Sequence, residues 1–122
     1  MTVKLKNAKV YEYQKQFKVL FWIALLVSYI FAVLPHDIAP SIPEVSDKAH
    51  HVFAFVVLAL LLRLGYHINY WYALLSLVAY GVLIEFSQIY AVNRFAEYKD
   101  VIADTIGTFI GLSLYKYIRK VI

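Results

Sequence analysis

The sequence predicts an all-α, integral membrane four-helix transmembrane bundle, and three observations carry that reading. The chain is 62% hydrophobic and only 16% charged, whereas soluble domains carry about a quarter charged residues. Its apolar residues gather into four runs, each near the roughly 20 residues that a bilayer core requires. Nearly all ionisable residues fall at the ends of those runs or between them. A soluble bundle is excluded on the same grounds, because four such runs leave too little polar surface to cover them.

The first span, Val19 to His36, reads "VLFWIALLVSYIFAVLPH" and holds no formal charge. Before it, residues 1–18 form a basic segment, read as an interfacial helix or a cytoplasmic tail, with "YEYQKQFK" mixing aromatics and lysine. No small-x-small cleavage site follows the span, so a removed signal peptide is disfavoured. Pro35, Pro40 and Pro43 then impose an extended connection, since proline disfavours helix at its own position and just before it. The second span, Asp47 to Leu64, is expected to end at Gly65. The third runs from Tyr70 to Ala91 and the fourth from Lys99 to Ile118, within a four-span domain of residues 19–118. Residues 119–122 are a short basic tail. There is no cysteine, which excludes both a disulfide framework and a thiolate metal site.

Charge sets the direction. Lys4, Lys6, Lys9, Lys15 and Lys18 outweigh Glu12 before the first span, and Arg63 follows the second. Lys116, Arg119 and Lys120 end the chain. The first loop, with Asp37, Glu44, Asp47 and Lys48, is acidic, and the loop with Arg94, Glu97, Lys99 and Asp100 is neutral. The positive-inside rule therefore places both termini in the cytoplasm and these two loops outside. The basic surplus is accounted for by topology, so nucleic acid is not an expected partner.

That topology gathers the polar residues. Asp47, Lys48 and His51 open the second span, Glu85 and Gln88 close the third, and Asp100 and Asp104 open the fourth. At 1.5 Å per residue all lie within roughly two turns of the outer interface. Glu85 and Gln88 share a helix side, as do Asp47 and His51. Asp100, Asp104, Gly107 and Gly111 form one stripe at 3.6 residues per turn. Intramembrane charges normally face a bundle interior or a wet cavity. A polar pocket in the outer leaflet follows, built by three helices and closed by the loop carrying Arg94. Gly107 and Gly111 read as helix-packing positions. His36 and His67 lie in loops, and His50 points about 100° from His51, so at most one of that pair faces the pocket.

Two of these motifs resemble the VanZ-like family of small integral membrane proteins. One is "DKAHHVFAF", with Asp47, Lys48 and His51 in register; the other joins Glu85, Gln88, Arg94, Asp100, Gly107 and Gly111. The likeness covers residues 47–111. Asp104 departs from the family pattern, which usually has Asn there, and adds an acid to the pocket. The resemblance implies a cell-envelope protein of the bacterial inner (cytoplasmic) membrane, in a family with members linked to lowered susceptibility to the glycopeptide antibiotic teicoplanin.

Three functions fit these residues. In the first, Lys48 and Arg94 hold the phosphate of a membrane lipid or lipid-linked cell-wall precursor, with Asp47, Gln88 and Asp100 organising the site. In the second, Glu85, Asp104 and His51 are candidates for acid–base chemistry on such a head group, Glu85 and Asp104 sharing a proton. Asp47, His51, Glu85 and Asp104 can alternatively ligate a divalent metal, although no known spacing motif marks such a site and no metal or cofactor is expected from motif alone. The third, a proton relay, lacks polar steps in the inner half of the spans. Association with further copies is compatible with so small a bundle, but the sequence sets no number.

Overall fold

The structure, a computed structural model, describes residues 12–34, 47–91 and 98–121. The proline-rich connection and the loop holding Arg94 and Glu97 lie outside the described residues, as does the start of the basic N-terminal segment. The described residues form four helices: α1 (Gln14–Val33), α2 (Asp47–Tyr66), α3 (Tyr70–Gln88) and α4 (Tyr98–Val121). No strand is present among them.

Three of these helices are long and apolar enough to cross a membrane, namely α1, α2 from Lys48 onward, and α3. The fourth is long enough, at 24 residues or about 36 Å, but falls outside that set. Asp100 and Asp104 at one end and Lys116, Arg119 and Lys120 at the other dilute its apolar middle. It belongs to the bundle through its packing, since its most extensive contact is with α2.

Tertiary contacts show neighbouring helices running antiparallel. At one end Gln14 Nε2 donates to the Gly65 carbonyl at 2.8 Å, Arg63 lies over the Tyr115 ring and Lys116 over the Tyr70 ring. At the other, Tyr29 and Ser87 share a hydrogen bond of 2.7 Å and Lys48 meets Asp100. The first end gathers the described lysines and arginines of the basic segments, and the second gathers Glu85, Asp100 and Asp104.

The helix limits differ from the sequence reading in two instructive ways. α1 begins at Gln14, so Lys15 and Lys18 belong to the same helix as the first span rather than to a separate segment. Lysine tolerates this because its stem lies along apolar surface while the ammonium reaches water, and Lys18 sits over the Tyr66 ring. Gly65 does not end α2, which continues to Tyr66. Its missing side chain serves packing: a Cβ there would lie 3.1 Å from the Lys18 backbone nitrogen. The chain turns instead at His67, whose φ of 53° is left-handed, and Asn69 caps α3 by accepting from the Tyr72 amide at 2.9 Å.

Close approach of α2 and α4 depends on two glycines. A Cβ on Gly107 would collide with the Val52 carbonyl and come within 3.0 Å of Phe55 Cβ. On Gly111 it would lie 2.6 Å from both Ala59 Cβ and the Val56 carbonyl. Phe55, Leu58, Ala59 and Leu112 pack around this seam, each at most 1% exposed. By contrast α1 buries only Phe21 among its described residues. Trp22, Ile23, Leu26 and Phe31 face outward, a surface suited to lipid rather than water.

Gly107→Ala and Gly111→Ala are each expected to cost about 1–3 kcal/mol, the range for overpacking a filled interior. Gly65→Ala should cost less, because its neighbour needs to move only slightly. Unfolding midpoints in detergent for the three variants check the order. At the basic end, partial burial and then the charges of Arg119, Arg63 and Lys18 hold the His67 pKa below its usual 6.5. The folded chain thus binds that proton less well than the unfolded chain. This contribution to stability is complete above 6.5 and shrinks as pH falls through that value. Imidazole NMR titration should place His67 below 6.5, and Arg119→Gln should move it back upward.

Candidate functional site at the acidic end

The site is built where α2 and α4 cross beyond their glycine seam. Lys48 and His51 are three residues apart on α2, and Asp100 and Asp104 four apart on α4, so each pair presents one face. Lys48 Nζ lies 2.6 Å from Asp100 Oδ1. His51 sits between the acids, with Nδ1 2.6 Å from Asp104 Oδ1 and Nε2 3.8 Å from Asp100 Oδ2. When Asp104 is ionised, Nδ1 carries the proton and donates it to that carboxylate. The result is an alternating row: Lys48, Asp100, His51, Asp104.

The two ends of that row differ most in burial. The Lys48 side chain is 38% exposed, that of His51 is 11% exposed and that of Asp104 is fully buried. Asp100 is 3% exposed, although it lies in the first turn of α4. The α4 hydroxyls turn inward to their own helix, Thr108 donating to the Asp104 carbonyl and Thr105 to that of Val101, each at 2.8 Å. They thus meet their hydrogen-bonding needs without competing for the cluster.

From α3 comes Glu85, buried in the last turns of its helix. One ligand atom each from His51, Glu85 and Asp104 lie within 4.8 Å of one another. Gly81, one turn before Glu85, makes room for this: a Cβ there would stand 2.7 Å from Asp104 Oδ2. Gln88, the other residue of the Glu85 pair, donates through Nε2 to the Ala32 carbonyl on α1 at 2.9 Å. It anchors α3 to α1, together with Tyr80, whose hydroxyl lies 2.7 Å from Ser28 Oγ and 2.9 Å from the Leu25 carbonyl.

Of the residues singled out from sequence, the structure therefore brings together Lys48, His51, Glu85, Asp100 and Asp104. His51, and not His50, makes the described contacts with Asp100 and Asp104. Gly107 and Gly111 lie along the α2 seam. Asp47 opens α2, its side chain outside the described set, and Arg94 is outside it altogether. Gly81, Tyr80 and Ser28 were missed. A glycine one turn before Glu85 was the available signal for the first; isolated hydroxyls in apolar spans gave little for the others.

The sequence model of the VanZ/LLP1 family matches residues 5–119. The chain belongs to the VanZ/LLP1 family. No curated protein and no solved structure matches it. The family match extends the likeness first read from residues 47–111 across all four helices, and with the three apolar helices it makes this a VanZ-like membrane protein. Every clustered residue of the site falls inside the matched range.

Chemically, the cluster can hold a proton between carboxylates, position an ammonium at its rim, or ligate a cation. Replacing the ring that separates two buried acids should be costly. His51→Ala is expected to lose about 1–3 kcal/mol, the penalty for stranding a buried polar partner. His50→Ala should lose distinctly less, and unfolding of the two variants in matched detergent compares them.

Proposed function

We propose that this VanZ-like protein binds and remodels a phosphate-bearing envelope lipid, or a lipid-linked cell-wall precursor, at the outer leaflet of the bacterial inner membrane. The observation that supports the reading most is the position of the polar row and the exposure of its cation. The row lies at one end of the helix bundle, and Lys48 is the most exposed of its members. Asp100 orients that ammonium at 2.6 Å while leaving its side chain 38% exposed, so a head-group phosphate can share it. Arg94 precedes α4 by only a few residues, and its guanidinium suits bidentate contact with the same phosphate. In this reading both termini are cytoplasmic, as the basic segments direct, and a role in glycopeptide tolerance follows from the family.

A second reading, an enzyme acting on such a head group, is favoured by the 2.6 Å contact between His51 and Asp104 with Glu85 close by. Carboxylates crowded in a buried site share protons, which supplies an acid or base near neutral pH.

Chain extracted with its surrounding lipid into polymer nanodiscs should retain a phosphate-bearing lipid, identified by native mass spectrometry. Lys48→Ala and Arg94→Ala should each lower retention by roughly 10-fold, as expected for loss of a charge-assisted contact of about 1.5 kcal/mol. Undiminished retention in both variants would count against the proposal. Conversion of the retained lipid, abolished in Glu85→Gln, would establish the second reading instead.

A further inference from the structure

We infer that His51, Glu85 and Asp104 form a divalent transition-metal site, and that the ion, rather than Lys48 alone, receives the head-group phosphate. The second half of this inference rests on the lipid-binding reading; the first half does not. It begins from the donor set. Among the described residues, the cluster gathers three buried carboxylates and one imidazole, with Lys48 at its rim. Carboxylate and imidazole groups are ligands for divalent cations, and a phosphate anion is drawn to a cation bound among them.

The geometry accommodates one. The three residues come from three helices and offer one ligand atom each, all within 4.8 Å of one another. Metal–ligand bonds of about 2.0–2.2 Å place neighbouring ligands of one ion roughly 3–3.6 Å apart, so side-chain movements of about 1 Å or less close the site. The His51–Asp104 contact of 2.6 Å opens correspondingly, Nδ1 giving up its proton as the ion enters. Gly81 leaves the space that Asp104 Oδ2 occupies beside α3.

The surroundings also have the form of a metal site's outer shell. A metal-bound histidine generally directs its other ring nitrogen to a carboxylate, which fixes the ring and raises its basicity. Here Nε2 faces Asp100 Oδ2 at 3.8 Å, and Lys48 fixes Asp100 in turn. Gln88, one turn beyond Glu85 and 2% exposed, keeps Oε1 without a hydrogen-bond partner among the described residues. One imidazole with two carboxylates suits Mn²⁺ or Zn²⁺ better than Mg²⁺ or Ca²⁺. Three protein ligands leave coordination positions open for phosphate oxygens.

The test uses full-length chain in nanodiscs, stripped with chelator and titrated with Mn²⁺ or Zn²⁺ alone. About one ion per chain is expected by elemental analysis. Asp104→Asn, Glu85→Gln and His51→Ala should each weaken binding more than 10-fold, and Asp100→Asn by roughly 10–100-fold as an outer-shell change. Native chain loaded with Mn²⁺ should show nitrogen coupling from one imidazole in pulsed electron paramagnetic resonance, a readout that needs no variant to fold. Absence of that coupling, or of any stoichiometric ion, overturns the inference. Lipid retention, measured in the same samples, separates the two readings. Retention that survives complete metal removal overturns the metal–phosphate link and leaves the lipid reading standing. An ion bound with no lipid at any metal loading does the reverse, leaving the metal site and removing the lipid.

Discussion

The bundle is organised by the need to neutralise two acids that α4 carries below the membrane surface. Asp104 is fully buried and Asp100 nearly so, and a charge so placed is costly unless paired. α2 supplies the answer with Lys48 and His51, spaced to meet Asp100 and Asp104 in one register only. Sliding α2 by a turn would part both contacts at once. It would also take the Val52 and Val56 carbonyls away from Gly107 and Gly111, the only positions on that stripe small enough to receive them. Polar matching and close packing therefore specify the same alignment, and agreement between such levels is what makes a fold unique.

Much of this was legible in the sequence because it rests on periodicity and charge placement. The offsets linking Asp100, Asp104, Gly107 and Gly111 name one stripe on α4 before any coordinates exist. Antiparallel spans then bring the start of α2 and the end of α3 to the same level. What periodicity cannot give is depth and partner. Asp100 reads as a surface residue from its nearness to a loop, yet it is enclosed between Lys48 and His51. Gly65 reads as a helix terminator because glycine often is one, whereas its real constraint is a backbone from a helix some fifty residues away in sequence. Gln88 shares a helix side with Glu85 but bonds to α1, a choice fixed by which helix lies adjacent. Each is a tertiary fact, invisible to local pattern.

The two ends of the molecule solve their electrostatics differently. At the acidic end, charges meet charges across α2 and α4. At the basic end, Lys18, Arg63 and Lys116 lie over the rings of Tyr66, Tyr115 and Tyr70, so aromatic faces take the part that carboxylates play elsewhere. Partial burial, and after it the crowding of like charge, lower the proton affinity of His67 there. Between the ends lies a core with few polar groups, including the Ser28–Tyr80 pair that links α1 to α3. This separation keeps the acidic cluster away from the cationic face.

The comparatively polar character of α4 bears on how the chain reaches the membrane. An acidic residue in an inserting helix opposes insertion, and α4, with Asp100 and Asp104 in its first turns, is the helix outside the strongly apolar set. It also leaves the ribosome after α1, α2 and α3. By then α2 is already in the bilayer, presenting Lys48 and His51 toward the place that α4 must fill. The order of helices along the gene is thus also an order of biogenesis, in which the least insertable segment emerges only after its receptor is installed.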